Sequence, residues 1–365
     1  MIMKILKYIL IVCLALLITA TAAVIGYVEY NKHQGRNDAK ITTANGIEEQ
    51  RWLKLGGVEQ WISIRGQDRD NPVLLFVHGG PGATAIPMHF RYNLALEEHF
   101  VVVHWDQRGT GKSWDKDVYD ETLTLEQLIE DTKDLSIYLQ DELEKEKLFL
   151  AGHSWGSAVG IYTVAQHPEL YHAYIGISQI VNFKKSEQIS YEFTLETARK
   201  LDHVEALAEL EAIDPPPWPT EGYAEPLSVQ RKWLHEFGGE VYSPKEQGAN
   251  TRDILETIFF TPEYSIVDSV NSIRGNRQSA EHLWDTLLAL DIAGDVSELA
   301  VPVWFLTGAH DYVTAFSLVE EFYNTISAPG KKLEWFHESS HSPNYEEPEK
   351  YLETLVAIKR EVLAD

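Results

Sequence analysis

The 365-residue chain has almost no cysteine: Cys13 is the only one. That excludes an internal disulfide framework and any Cys-rich zinc site. The chain is also short of positive charge, with 31 Lys and Arg against 56 Asp and Glu and a formal net charge of −25. Phosphate backbones are bound by Lys and Arg surfaces, so nucleic acid is not an expected partner. No His-Glu-x-x-His occurs and the 14 histidines are scattered, so no metal site is expected. Repeats are missing, and the only biased tract is Pro215-Pro-Pro-Trp-Pro219. What remains is ordinary globular material, 44% hydrophobic and 24% charged. A chain of this length buries about three quarters of the surface its unfolded form exposes, so a core needs no staples.

One apolar run stands out. Lys4 and Lys7 precede an almost unbroken stretch from Ile9 to Val28, after which Glu29, Lys32, His33 and Arg36 restore polarity. A stretch of about 20 residues crosses the hydrocarbon core as a helix. Residues 1–30 are therefore read as a membrane anchor that meets the lipid bilayer through residues 9–28. Cys13 then lies within the span, lipid-facing or packed. A cleaved signal peptide is the competing reading, with Ala20-Thr-Ala22 as its cleavage site, although its apolar stretch is typically about 7–15 residues. A short basic N-terminus usually stays cytoplasmic. That places the acidic body outside a single-pass cell membrane, or in the secreted fraction if the segment is cleaved.

Residues 31–46 read as a polar linker. Beyond them, apolar runs and helical patterns alternate. Strands are expected at Trp61–Arg65, Val73–Val77, Val101–Trp105, Lys147–Ala151 and Ala173–Ile177. Helices are expected at Leu125–Leu139, with Thr124 as N-cap, and from Ser154 to His167, stopped by Pro168. The order predicts an α/β fold with a mostly parallel sheet and helices on both faces. From 179 to 295 the pattern is helical with no convincing strand. Alternation returns with strands at Val301–Thr307 and Lys332–Phe336 and helices at Ser317–Thr325 and Glu349–Leu363. The organisation expected is a core over 47–178 and 296–365, interrupted by a helical cap over 179–295. Sites in open sheets sit at strand ends, where such insertions also sit.

Three motifs fall where chemistry needs them. Gly152-His-Ser-Trp-Gly156 is a G-x-S-x-G between a strand and a helix. A serine hydroxyl attacks only when held beside a base, and the flanking glycines permit the sharp turn that exposes it. His78-Gly-Gly-Pro-Gly82 follows directly after a strand. A glycine-rich loop there and the amide after the nucleophile supply an oxyanion site in such folds, here Gly80 and Trp155, with Gly79 as the fallback. His78 itself reads as a structural brace. Asp311 and His341 each follow a late strand, and the order Ser154, Asp311, His341 is that of a Ser-Asp-His triad. His341 would take the serine proton, and Asp311 would fix its tautomer. His310 is a bystander in this reading. Asp106-Gln-Arg-Gly-Thr-Gly-Lys-Ser113 lacks phosphate-loop spacing. Its expected role is structural, with Asp106 and Arg108 paired.

Taken together, HGGPG at 78–82, DQRGTGKS at 106–113, GHSWGS at 152–157, GAHD at 308–311 and SSHSPNYEEPEKY at 339–351 resemble the α/β-hydrolase fold. Within it they resemble the prolyl aminopeptidase (proline iminopeptidase) family, over residues 47–363, with the cap matched least. The resemblance implies a serine peptidase that releases an N-terminal residue, often proline, from small peptides without a cofactor. It places Ser154 as nucleophile, Asp311 as acid and His341 as base. The family often has Gly where this chain has His153, and its cytosolic members lack an anchor. Its members bind a free amine through cap carboxylates, and here the cap offers Glu192, Glu196, Glu236 and Glu240. Trp233-Leu-His-Glu236 sets an aromatic beside a carboxylate, a pairing that suits a cationic amine. Two other functions stay open at this stage: an esterase or amidase acting on a small hydrophobic ester, and a non-catalytic hydrolase-like module at the membrane.

Overall fold

The computed structural model describes residues 2–118, 122–242 and 251–364. Helix α1 (Ile2–Asp38) comes first and is long and apolar enough to cross a membrane by length and composition. The stretch 31–46, expected as a linker, is helical through Asp38. The cause is packing. Val28, Lys32 and Ala39 are buried against the body, and Arg36 donates to the Pro262 carbonyl at 3.1 Å. Gly35 disfavours a helix by about 1 kcal/mol, so it is this packing, with the good helix formers Lys32, Gln34 and Arg36, that carries the continuation.

Eight strands form one sheet: β1 (Ile47–Leu55), β2 (Val58–Gly66), β3 (Val73–Val77), β4 (Val101–Asp106), β5 (Leu148–His153), β6 (Tyr171–Ile177), β7 (Val303–Gly308) and β8 (Lys331–Phe336). Their order is β1-β2-β4-β3-β5-β6-β7-β8. The β1–β2 and β2–β4 pairs are antiparallel and the rest are parallel. Strand β1 is an addition to the strands expected. Between its buried ends, Ile47 and Leu55, it alternates exposed and half-buried positions, and its charges mark a protected sheet edge.

Alternation within the central strands divides the core between two faces. Val73, Leu75 and Val77 of β3 join one cluster, while Leu74 and Phe76 join the other. Successive side chains point to opposite faces, so a strand covered on both sides must be apolar throughout. Each fully buried Val, Leu or Phe side chain contributes about 1.5–3 kcal/mol. Helices α2 (Leu125–Leu143), capped by the Thr124 side chain, and α3 (Trp155–Gln166) cover the first of these faces, and the C-terminal helix covers the other through Tyr351, Leu355 and Ile358.

The sheet is interrupted after β6. There follow α4 (Phe183–Lys200), α5 (Val204–Glu211), α6 (Ala224–Glu236), α7 (Thr251–Phe259) and α8 (Ile266–Ala289). Helices α9 (Phe316–Thr325) and α10 (Pro348–Leu363) complete the core. The chain leaves β3 toward β4 and returns to β5 on the other side, so the order reverses between β3 and β5. Crevices at such reversals, beyond the carboxyl ends of the strands, are where open α/β sheets bind ligands.

Candidate active site

Strand β5 ends at His153, and α3 begins at Trp155. Ser154 between them has φ 53° and ψ −120°, a conformation non-glycine residues rarely adopt. It is held there by its own amide, which donates to Ile177 (3.0 Å), and by Ser157, whose amide and hydroxyl both donate to the Ser154 carbonyl. The turn needs close approach. A Cβ on Gly156 would stand 2.0 Å from the Val77 carbonyl oxygen, so only glycine lets α3 meet the end of β3.

The structure brings Ser154, His341 and Asp311 together although they lie far apart in the chain. His341 Nε2 is 2.9 Å from Ser154 Oγ, and its Nδ1 is 3.1 Å and 3.2 Å from the two Asp311 oxygens. With Nδ1–H donating to the carboxylate, Nε2 is free to accept from the hydroxyl. Asp311 is buried and also accepts from the amides of Val313 and Thr314 and the Thr314 hydroxyl. Burial alone would raise its carboxyl, but the His341 ring and the Thr314 donors outweigh burial and bring it down to about 2. Burial pulls His341 down, whereas Asp311 and then Glu240 push it up, and the net shift is upward. A base 2.9 Å from a hydroxyl is within reach of its proton.

The His341 loop is braced by groups the sequence motifs had left without a role. Glu346 accepts from the amides of Ser340, Ser342 and Tyr242, and Glu347 accepts from the Ser339 hydroxyl. The cap segment after α6 also holds both loops. The Gly239 carbonyl accepts from the Tyr312 amide and the Glu240 carbonyl from the His341 amide. His310 packs its ring on Tyr242 and does not line the site cavity.

Gly79 and Gly80 both line the cavity above Ser154. Gly79 is the closer to the turn, since a Cβ there would stand 3.0 Å from the Ser154 Cβ. Trp155 is the first residue of α3, so its amide is among those with no acceptor inside the helix. His78 holds the loop in shape: Nδ1–H donates to the Gly79 carbonyl at 3.0 Å, and Nε2 accepts from the Gln107 amide at 3.2 Å. Burial lowers its pKa to about 4 and keeps the ring neutral.

Two expectations are corrected. Asp106 and Arg108 do not pair. Arg108 makes a fully buried, two-pronged ion pair with Asp131 of α2, and Asp106 accepts from Tyr264 and the Lys112 amide. Asp131 and Tyr264 come from distant elements, which adjacency in sequence conceals. Nor do Trp233 and Glu236 line the cavity. Trp233 is buried in the cap, where its indole donates to Glu209, and Glu236 is exposed. Helix α6 turns a different face to the site, the one bearing Leu227 and Arg231, four residues apart.

The cavity has a volume of about 400 Å³. Its walls are largely apolar, with Ile180, Phe183, Leu227 and Trp284 among them, and its charged side chains include Arg231 and Glu240. Arg231 is paired with the buried Glu187. Glu240 lies 3.3 Å from His235, and against the upward pull of burial this neighbour and Arg231 lower its pKa.

Residues 72–203 match the profile of the alpha/beta hydrolase fold family. The chain is 33% identical over 311 residues to a probable aminopeptidase, YbaC, of Bacillus subtilis strain 168, covering 83% of this chain and 93% of that protein. It belongs to the prolyl aminopeptidase-like α/β-hydrolases. It is also 25% identical to a proline iminopeptidase of Clostridioides difficile strain 630, over 83% of this chain and 95% of that one. Two solved structures share the fold. A proline iminopeptidase-related protein of Thermus thermophilus matches with a TM-score of 0.61 at 22% identity, covering 87% of this chain and 98% of that one. A membrane phospholipase A matches with a TM-score of 0.59 at 16% identity, covering 97% of this chain and 99% of that one. The chain is thus a hydrolase enzyme of this family.

Proposed function

We propose that the chain is a membrane-anchored serine hydrolase that works through Ser154, His341 and Asp311 and an acyl-enzyme, releasing an N-terminal residue of the proline type from small peptides. The single observation that carries the chemistry is His341 bridging Ser154 at 2.9 Å and Asp311 at 3.1 Å. Ser154 Oγ attacks the scissile carbonyl while His341 Nε2 takes its proton. The amides of Gly80 and Trp155 receive the developing oxyanion, with Gly79 as the alternative donor. His341 then protonates the leaving amine, and water repeats the sequence on the acyl-enzyme. The peptidase assignment is supported by the names of the relatives. Glu240 is the cavity carboxylate suited to a free amine.

Residues 9–28 of α1 serve as the bilayer span in this proposal, with the body outside the cell membrane. Protease digestion of the body in intact cells tests that orientation, and protection would refute it.

A second reading, an esterase acting on a small hydrophobic ester, is favoured by the largely apolar cavity walls formed by Ile180, Phe183, Leu227 and Trp284. Turnover of a prolyl amide against p-nitrophenyl butyrate separates the two. Failure to cleave the amide ends the peptidase assignment. A fluorophosphonate that labels the wild type but not Ser154→Ala supports the acyl-enzyme in either case, and no labelling of the wild type would refute it.

A further inference from the structure

A second cavity of about 350 Å³ lies between α7 and α8. It shares Ala83, Thr84, Met88 and Asn276 with the cavity over Ser154, so the two adjoin along these side chains. Its outer lip is made of Ile254, Leu255 and Ile258 from α7 and Ile273 from α8. Around that lip the apolar surface continues outward. Ile254, Leu255, Val267, Val270 and Ile273 are each between 40% and 65% exposed. An apolar patch of this kind on a soluble surface marks a contact with something apolar.

The position of α1 says what that is. Tyr27, at the end of the apolar run, sets its ring edge-on against Phe260, with centroids 5.5 Å apart. Farther along, Gly35 lies against Pro262, where a Cβ would come within 3.0 Å of the proline ring, and Arg36 donates to the Pro262 carbonyl. Phe260 and Pro262 belong to the short link that joins α7 to α8. The two helices that bear the patch are therefore fastened to the part of α1 that leaves the bilayer. Tyrosine is enriched at that depth, where its ring meets the headgroups.

We infer that the α7–α8 cleft is a side entrance facing the bilayer, through which a substrate bearing a long alkyl or acyl chain reaches Ser154 with the chain lodged in the second cavity. The inference rests on the proposed roles of Ser154 as nucleophile and of α1 as a membrane span. It does not depend on whether the scissile bond is an ester or an amide.

The test uses the full chain in phosphatidylcholine vesicles and two fluorophosphonates, one with an ethyl and one with a dodecyl chain, and reads the labelling rate of Ser154. Burial of even two methylenes contributes about tenfold. The expected result is a dodecyl-to-ethyl rate ratio above about ten that falls to near unity in the double variant Ile254→Ser, Ile273→Ser. It should persist in Val204→Ser, which removes an exposed apolar side chain from α5. Should the double variant lose all labelling, the single variant Ile273→Ser decides on the same ratio. A wild-type ratio near unity, or a ratio that survives the cleft substitutions, overturns the entrance. If neither probe labels the wild type, it is the serine-hydrolase proposal that fails.

Discussion

The His153 ring donates from Nε2 to the main-chain carbonyl of His341 at 2.9 Å, so the residue before Ser154 holds the residue that faces it. The two rings lie 5.3 Å apart. Burial, and then the neighbouring His341, lower the His153 pKa to about 4, so the ring stays neutral and keeps the proton it donates. A net hydrogen bond of this type contributes about 1 kcal/mol. His153→Gly should therefore lower kcat about fivefold with KM nearly unchanged. Steady-state kinetics on p-nitrophenyl butyrate would check this, and an unaltered kcat would remove His153 from any positioning role.

The pH dependence follows from the direction of the His341 shift. Its imidazole must be neutral to accept the serine proton, and its pKa lies above the ordinary 6.5. Activity should thus already decline at pH values somewhat above 6.5 and fall about tenfold per unit below the inflection. Asp311→Asn removes the group that raises the ring, so the inflection should move down while kcat drops by about 10⁴. A kcat/KM profile on both proteins is the measurement. An inflection unmoved by Asp311→Asn would sever the coupling.

Glu346 gathers three amides from the His341 loop and its surroundings. Without it, those donors lose their acceptor and the loop its shape. Glu346→Ala should reduce kcat by about tenfold, a loss of roughly 1–2 kcal/mol, and leave KM within about a factor of two. Glu346→Gln, which keeps one acceptor oxygen, should recover part of the loss. Equal loss in both variants would point to charge instead of shape.

Asp131 stabilises the fold without touching the cavity. It takes both prongs of Arg108 and also accepts from Gln60 and Gln127, with neither ion exposed. Removing one charge leaves the other buried and unpaired, at a cost of about 3–5 kcal/mol. Asp131→Asn should lower the urea midpoint accordingly, with the fluorophosphonate reaction of the remaining folded protein intact. A midpoint within error of wild type would show that water reaches the pair.

How far the sequence disclosed all this depended on where the partners lie. Strands β3, β4 and β5 were legible because a strand covered on both faces must be continuously apolar. Strand β1 was hidden because an edge strand carries charge on its open side, which blurs the alternation. Ser154, Asp311 and His341 could be named because each follows a strand in a fixed order, and the structure sets His341 2.9 Å from Ser154 and within 3.2 Å of Asp311. The cap offered no such rule. Trp233 and Glu236 looked apt by composition, but helical rotation turns Leu227 and Arg231 toward the cavity instead. Arg108 was given the wrong partner because the correct one stands 23 residues away, on α2.

The contacts of α1 with the body begin at Tyr27 and Val28 and continue through Lys32 and Arg36 to Ala39, just past its end. All of them lie beyond Ala20-Thr-Ala22, where a leader peptidase would cut. Severing the chain there would strip away most of the greasy stretch yet leave the seam with the α7–α8 link untouched. Tethering and architecture are thereby uncoupled, and a chain cut at that point would keep the same shape as the intact one.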